Sequence, residues 1–455
     1  MQNIQKILRL PLFWVMLVLF TEFIINFDKW SKPFLEDHGI DPKSYIEASY
    51  NVCNILHGDV DLKRPFVYPA LIALCRTIAG DKHALALTVV LQRLIGIASI
   101  AIFYLLCQFF LKTKYLAVLP MVFYAVLTIF MRRFDTWIMT EPLSMSLTIF
   151  LTYGFLLYSQ RTSYLKALPL GFSAFFLVML RPAFLVFVPF IFLFFIGQFV
   201  FFRKNWRRNL TGLAAAVLSV LGIFGYSVLV ERECGVRTVS IISFYNLFMC
   251  EIQSGITDNG SNLQINQRIH ECLEEFKQKY PDKIKKPNWM FDREVDTLDS
   301  PLGYVRRTYP FIGFAGGNDA ELIKQANATL SIKTVRDYTK NTLMRNKLAY
   351  AKYLARKMYI VSLSEIRIGV VYAVLAVSVA VLLFSLRTHS LQINWLHFMI
   401  WGMTFAMVFV SMAASFTSYG RIILPVLSLS ILQAFLIFDR LLLLLRRQKT
   451  VSDHK

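Results

Sequence analysis

Carboxylates and cations gather beside the ends of apolar runs, far apart along the chain. Asp41 and Tyr45 precede Lys63 and Arg64 within one polar stretch, and Glu141 begins a later apolar run. Arginines suit the binding of a phosphate, while a carboxylate can act as general base toward a hydroxyl or amine. The candidate catalytic residues are Asp41 and Glu141, and the candidate substrate-binding residues are Tyr45, Lys63, Arg64, Arg132, Arg133, Arg181 and Arg421.

Composition decides which elements must position these residues. The chain has 56% hydrophobic and 17% charged residues and a mean hydropathy of +0.50, an apolar excess that a soluble core of this length could not hide. The sequence therefore predicts an all-α polytopic membrane protein. Its net charge of +20 comes from basic residues at the ends of apolar runs, which indicates contact with membrane lipids and no nucleic-acid partner.

The six cysteines show no CxxC spacing, so no metal site and no disulfide framework is predicted. One bridge among Cys234, Cys250 and Cys272 stays open, provided that their segment faces an oxidising compartment.

Hydropathy and loop charge predict about ten transmembrane helices. The runs are 8–26, 84–111, 115–131, 137–158, 165–180, 183–202, 211–230, 366–386, 393–416 and 422–439. Residues 65–79 are apolar but short for a span, so we expect them to be re-entrant or packed on the bundle. Residues 43–57 predict a short interfacial helix, and 342–363 predict a helix along the membrane surface.

Basic residues at alternate ends of these runs place both termini in the cytoplasm and the candidate site at the outer face. The predicted organisation is a membrane module at 1–230 with a first outer loop at 27–82, followed by a mixed extracytoplasmic domain or long loop at 231–365. Membrane helices at 366–440 and a basic cytoplasmic tail at 441–455 complete it.

Three segments resemble one enzyme family. DPKSYIEASYNVCNILHGD with KRPFVYPALIAL is similar to the first outer loop of GT-C glycosyltransferases, in the protein O-mannosyltransferase and aminoarabinose-transferase group. RRFDTWIMTEPLSMSLTIFLTYGFLL resembles the second acidic motif, and SYGRIILPVLSLSILQAFLIF the motif near the end. The resemblance covers the framework at 8–202 and 366–440, but not 231–365.

The resemblance implies a GT-C-like fold and transfer of a sugar from a polyprenyl-phosphate donor to a lipid, glycan or protein acceptor, with inversion. Asp41 would be the general base, Glu141 would orient the acceptor or hold a cation, and Arg421 would contact the donor phosphate. Because Pro42 follows Asp41 where many members carry a second acid, no cofactor is assigned, and a divalent cation stays an open alternative.

Simpler roles compete for the same residues. Asp41 could cap the helix after it, and Glu141 could be an acid that the helix dipole stabilises in the first turn. Arg132 and Arg133 could reach toward lipid headgroups. Tyr45 could be an interfacial anchor. A base elsewhere in the first outer loop is a further alternative, the candidates being Asp28, Glu36 and Asp37.

Two other functions share the many spans. An O-antigen-type polymerase or ligase would need arginines and a histidine in its large outer loop, where His270 is the one histidine. A transporter or flippase of lipid-linked sugars would need charged or broken helices at mid-membrane. The apolar runs are nearly free of charge, so this class ranks third.

Overall fold

The computed structural model describes most of the chain and is helical throughout that part, which contains no strand. The described residues are 40–57, 60–130, 138–201, 205–256, 263–284, 332–364, 391–414 and 419–452, with a few positions between 13 and 21 and between 374 and 379. Six of the described helices are long and apolar enough to cross a membrane. The prediction of an all-α, multi-pass membrane protein is therefore confirmed.

The described helices are numbered here in chain order. They are α1 (Ile40–Tyr50), α2 (Val67–Phe110), α3 (Val118–Phe130), α4 (Glu141–Gln160), α5 (Tyr164–Leu180), α6 (Val188–Phe201), α7 (Trp206–Cys234), α8 (Ile242–Ser254), α9 (Leu263–Lys279), α10 (Pro281–Ile284), α11 (Ile332–Arg345), α12 (Lys347–Ser364), α13 (Leu391–Ala414) and α14 (Tyr419–Ser452). Short 3-10 helices cover Val52–His57, Lys114–Ala117 and Pro182–Phe187. The predicted span 8–26 and most of 366–386 lie outside the described residues, so the count of about ten stays a prediction.

Helix α2 is folded back on itself at Gly80, where φ is 71° and ψ is 167°. Only glycine adopts such a conformation readily. In a straight helix Tyr68 and Gln92 would be about 36 Å apart, yet the Tyr68 hydroxyl donates a hydrogen bond to Gln92 Oε1. The two arms are thus antiparallel, and the segment 65–79, which the sequence predicts to be re-entrant or packed on the bundle, packs against the arm that follows Gly80.

Helices α5 and α7 approach each other closely because glycine lies at their contact. A Cβ on Gly171 would lie 2.5 Å from both the Ala215 Cβ and the Gly212 carbonyl oxygen. Ser219 Oγ donates to the Gly171 carbonyl at 3.0 Å. Small residues of this kind allow membrane helices to pack backbone to backbone.

Connections between helices meet at one end of the bundle, here called the basic end (111–113, 160–166, 205–208 and 439). The backbone N–H groups of Lys112 and Thr113 donate to the Asp439 carboxylate at 2.8 and 3.2 Å. Arg208 Nη1 donates to the Thr162 carbonyl at 3.0 Å. The basic residues that the sequence assigns to one face are therefore gathered at one end.

The opposite end, here called the site end, is where α4 begins and α5 and α7 finish. Tyr226 Oη donates to the Asp61 carbonyl at 3.3 Å, and the Ile241 N–H donates to the Leu62 carbonyl at 3.0 Å. The first loop after α1 is thereby attached to the far end of α7. Which membrane face each end takes stays a prediction.

The described part of 231–365 is helical rather than mixed. The helix expected at 342–363 is divided at Asn346 into α11 and α12, and two of its three tyrosines make hydrogen bonds to other helices. Tyr350 Oη donates to the Ala413 carbonyl and Tyr353 Oη to Gln253 Oε1, both at 2.7 Å. Tyr359 is 67% exposed, and a position of this helix along the membrane surface stays a prediction.

Two of the three cysteines considered for a disulfide are free thiols in the structure. These are Cys234 and Cys250, while the Cys272 side chain lies outside the described residues. Cys250 is buried, 3.5 Å from the Lys357 ammonium. Lys357 Nζ also donates to the Met412 carbonyl at 2.7 Å, although the lysine side chain is 0% exposed.

Candidate functional site

Tyr45 and Arg64 come together at the site end, as the sequence predicted. Arg64 Nε donates to Ser44 Oγ at 2.8 Å and Nη1 donates to Tyr45 Oη at 3.1 Å. The guanidinium carbon also lies 4.2 Å from the centre of the Tyr45 ring. Tyr45 is 7% exposed and meets the Tyr68 ring edge to face at 5.0 Å. It is therefore a buried partner of Arg64, and the reading as an interfacial anchor is wrong.

Lys63 contributes its backbone to the same turn. The N–H groups of Lys63 and Arg64 donate to Asp61 Oδ1 at 2.8 and 2.6 Å, and the Lys63 carbonyl accepts from Ser240 Oγ at 2.7 Å. Its ammonium makes no hydrogen bond or ion pair with the described residues. The sequence analysis did not identify Asp61. An aspartate whose side chain accepts hydrogen bonds from the backbone N–H groups two and three residues later is nevertheless a known turn pattern.

Glu141 and Arg181 form a buried ion pair. Arg181 Nη2 lies 3.6 Å from Glu141 Oε1, with Glu141 2% exposed and the Arg181 side chain 13% exposed. Glu141 is placed by the start of α4, where Pro142 can occupy the first turn without losing a hydrogen bond. Buried charges require pairing, so the two predicted residues stabilise each other. Arg181 Nη1 is buried and has no hydrogen-bond partner within the described residues.

An apolar cluster connects the two charged pairs. It contains Tyr45, Tyr68, Leu143 and Leu180, so that residues beside Arg64, Glu141 and Arg181 pack into one core. The Tyr68 hydroxyl is hydrogen-bonded to Gln92 and to the Met139 backbone and interacts electrostatically with Glu141. The site end is thus one connected arrangement of polar groups around a small apolar core.

Two buried polar residues at this level were missed from the sequence. Gln92 is 1% exposed and Arg93 is 5% exposed, both on the second arm of α2. Adjacent glutamine and arginine inside an otherwise apolar run are the signal that could have identified them.

Asp41 lies in the first turn of α1, which begins at Ile40. Asp41 is therefore inside the helix, where an acid favours the dipole, and is not the cap before it. Its side chain lies outside the described residues. Arg421 lies in the first turn of α14, about 18 residues before Asp439 on the same helix. The Arg421 side chain also lies outside the described residues. Arg132 and Arg133 fall in 131–137, which is outside them altogether.

A cavity of 340 Å³ lies beside Arg64, between the end of α1, the loop before α2 and Tyr226 of α7. Its polar lining includes Asn51, Asn54 and Asp61. The cavity is large enough for a small ligand, since pockets of about 300 Å³ and more hold such molecules.

No family model, curated protein or solved structure matches the chain. What the site can do must follow from its own groups. Among the described residues no three His, Cys, Asp or Glu side chains meet to hold a metal ion. The divalent cation considered from the sequence stays an open alternative.

Distances along the helices place the site near the membrane boundary. The stretch of α2 from Arg93 to Phe110 rises about 27 Å and the 20 residues of α4 rise about 30 Å, each close to the thickness of the hydrocarbon core. Both start at the level of the Tyr68–Gln92 hydrogen bond and Glu141. In a bilayer whose hydrocarbon core these two stretches span, the buried charges would lie near its boundary.

Proposed function

We propose that this protein is an integral membrane glycosyltransferase of GT-C-like fold. It would move a sugar from a polyprenyl-phosphate donor to a lipid, glycan or protein acceptor at the outer face of the membrane, with both termini in the cytoplasm. The observation that carries the proposal is the buried Glu141–Arg181 pair, which shares one core with the Tyr45–Arg64 pair at headgroup depth.

Each group has a role in a single displacement. The acceptor oxygen attacks the anomeric carbon while the bond from that carbon to the phosphate oxygen breaks, so the configuration inverts. Asp41 takes the acceptor proton, and Glu141 orients the acceptor. Polyprenyl phosphate leaves with the electron pair of the broken bond, and its charge is stabilised by Arg181, whose Nη1 has no described partner, and by Arg421.

The lipid tail of the donor has apolar helix faces available near the site end. Phe172 and Phe176 on α5 and Leu221 and Phe224 on α7 are exposed large apolar side chains. In a membrane these faces contact lipid chains, and a polyprenyl chain is chemically similar to them. The donor can thus stay in the bilayer while its phosphate reaches Arg181.

The polymerase or ligase alternative depends on His270. That residue is exposed on α9. The proposal of a glycosyltransferase rests instead on groups that are buried and paired.

The test uses the full chain in lipid nanodiscs with a panel of polyprenyl-phosphate sugars. We expect at least one of them to raise the melting temperature and to release polyprenyl phosphate when an acceptor is present. Asp41→Asn should abolish release while the donor still raises the melting temperature. The matched control is Glu233→Gln, since Glu233 is exposed near the end of α7. Full turnover by Asp41→Asn would exclude Asp41 as the base.

A further inference from the structure

The cavity beside Arg64 combines two kinds of lining. Carboxylate, guanidinium and amide groups come from Asp61, Arg64 and Asn54, while the rings of Phe66 and Tyr226 also contribute to the wall. The two rings are 6.0 Å apart and inclined by 43°. Polar groups that bind hydroxyls, set against rings that cover C–H faces, fit the two chemical surfaces of a sugar ring.

We infer that this cavity binds a sugar ring and that Asp61 is the residue that accepts hydrogen bonds from its hydroxyls. The inference rests on the proposed function, because it names the part of the substrate that the transferase would recognise here. It assigns recognition of the sugar to Asp61, which is not part of the Glu141–Arg181 pair.

Asp61 is held in a fixed orientation by its own turn. Oδ1 accepts the N–H groups of Lys63 at 2.8 Å and Arg64 at 2.6 Å. The Asp61 carbonyl accepts the Tyr226 hydroxyl at 3.3 Å. Oδ2 accepts no hydrogen bond from the described part of the chain. One carboxylate oxygen is therefore used by the fold and the other is pre-oriented for a ligand, which lowers the entropy lost on binding.

Arg64 connects the cavity to the rest of the site end. Its Nε and Nη1 are engaged by Ser44 and Tyr45, so the guanidinium plane is fixed where it lines the cavity. On its other side the Tyr45 ring packs on Tyr68, next to Glu141. A sugar in the cavity would thus contact Arg64, which Tyr45 connects to the core that also contains Leu143 and Leu180.

Asp61 could have a purely structural role, in which its side chain only stabilises the turn. The substitution Asp61→Asn separates this role from ligand binding. An asparagine Oδ1 can accept the same two N–H groups, so the turn is kept, whereas the charged acceptor Oδ2 is replaced by an amide donor. Glu233→Gln is the matched control for the loss of one negative charge, because Glu233 is exposed near the end of α7.

The experiment measures the affinity of the full chain in nanodiscs for three probes: a polyprenyl-phosphate sugar, sugar-free polyprenyl phosphate and a methyl glycoside. In Asp61→Asn we expect the affinity for the lipid-linked sugar to fall by about tenfold or more, the loss that follows removal of a charged hydrogen-bond partner. The affinity for sugar-free polyprenyl phosphate and the melting temperature should not change.

The outcomes separate the two proposals. An equal loss for both lipid probes, or no loss for either, overturns the sugar site. If wild type binds no lipid-linked sugar, the proposed donor is wrong. Binding of the methyl glycoside then tests whether the cavity binds a sugar ring at all. Glycoside binding that Asp61→Asn weakens supports a site for an acceptor sugar, and absence of glycoside binding overturns it.

Discussion

Arg181 Nη2 lies 3.6 Å from Glu141 Oε1 where α4 begins and α5 ends, with Glu141 buried and the Arg181 side chain 13% exposed. Each side chain supplies the other with an opposite charge where contact with water is small. Arg181 Nη1 is buried and has no hydrogen-bond partner among the described residues.

Breaking this pair from one side should destabilise the protein. Glu141→Gln or Arg181→Met removes one member of the ion pair, and we expect each to lower the free energy of unfolding by about 3–5 kcal/mol. The double variant should be more stable than either single one, although all three lose transfer activity. Denaturant unfolding in detergent micelles measures this. A double variant with the summed loss would show that the two residues are not coupled.

Arg64→Lys should reduce transfer more than Tyr45→Phe. A lysine cannot donate to Ser44 and Tyr45 in the fixed geometry of the guanidinium, so we expect kcat/KM to fall by about tenfold or more. Tyr45→Phe keeps the ring beside Arg64 and Tyr68 and removes a single hydroxyl. Initial rates with a polyprenyl-phosphate sugar measure both, and full activity of Arg64→Lys would contradict the predicted role.

Gly171→Ala should weaken the packing of α5 against α7. The new methyl group would lie 2.5 Å from the Gly212 carbonyl oxygen, so the helices must separate, at a cost of about 1–3 kcal/mol. Gly225→Ala on α7 is the control, because nothing lies within 4 Å of its Cβ position. That change should be neutral or stabilising. Equal melting temperatures for the two variants would refute close packing at Gly171.

Lys357 should make stability depend on pH. Burial lowers the pKa of its ammonium below the ordinary value of 10.5. Between the lowered value and 10.5 the unfolded chain holds a proton that the folded chain has released, so stability rises with pH through that window and is lower below it. Burial raises the pKa of Cys250 above its ordinary 9.0, so the thiol is largely protonated in both states only up to about pH 8, and its ionisation in the unfolded chain opposes the effect of Lys357 at higher pH.

Melting temperatures measured up to about pH 8, where Cys250 is largely protonated in both states, test this expectation. The rise with pH should be reduced in Lys357→Met and retained in Lys352→Met, since Lys352 is exposed on the same helix. Equal pH slopes for wild type and Lys357→Met would contradict it.

The membrane class and the ends of most helices could be predicted from the sequence, because hydropathy and basic loops act locally. The grouping of Glu141 with Arg181 at one end also followed from span counting. Span counting could not reveal which residues pair across that end. The Glu141–Arg181 contact depends on how α4 packs against α5. The sequence of either helix alone does not show which helix packs against it.

Local patterns were ambiguous where tertiary contacts decide the outcome. Tyr45 fits an interfacial anchor by composition, but burial against Tyr68 and Arg64 gives it a different environment. The tyrosines of α12 have the spacing of a surface helix, and α13 and α8 supply hydrogen-bond partners for two of them, Tyr350 and Tyr353. Asp61 and Gln92 were missed because a turn and a helical hairpin, rather than a motif, give them their positions.

The fold at Gly80 has a practical consequence for sidedness. Asp81, Lys82 and His83 stand about 18 Å beyond the Tyr68–Gln92 level, which is far enough to clear the headgroup layer. A single cysteine introduced at this exposed tip would react with an impermeant thiol reagent from one compartment. The tip therefore serves as a topology reporter that can determine, without any substrate, which compartment the site end faces.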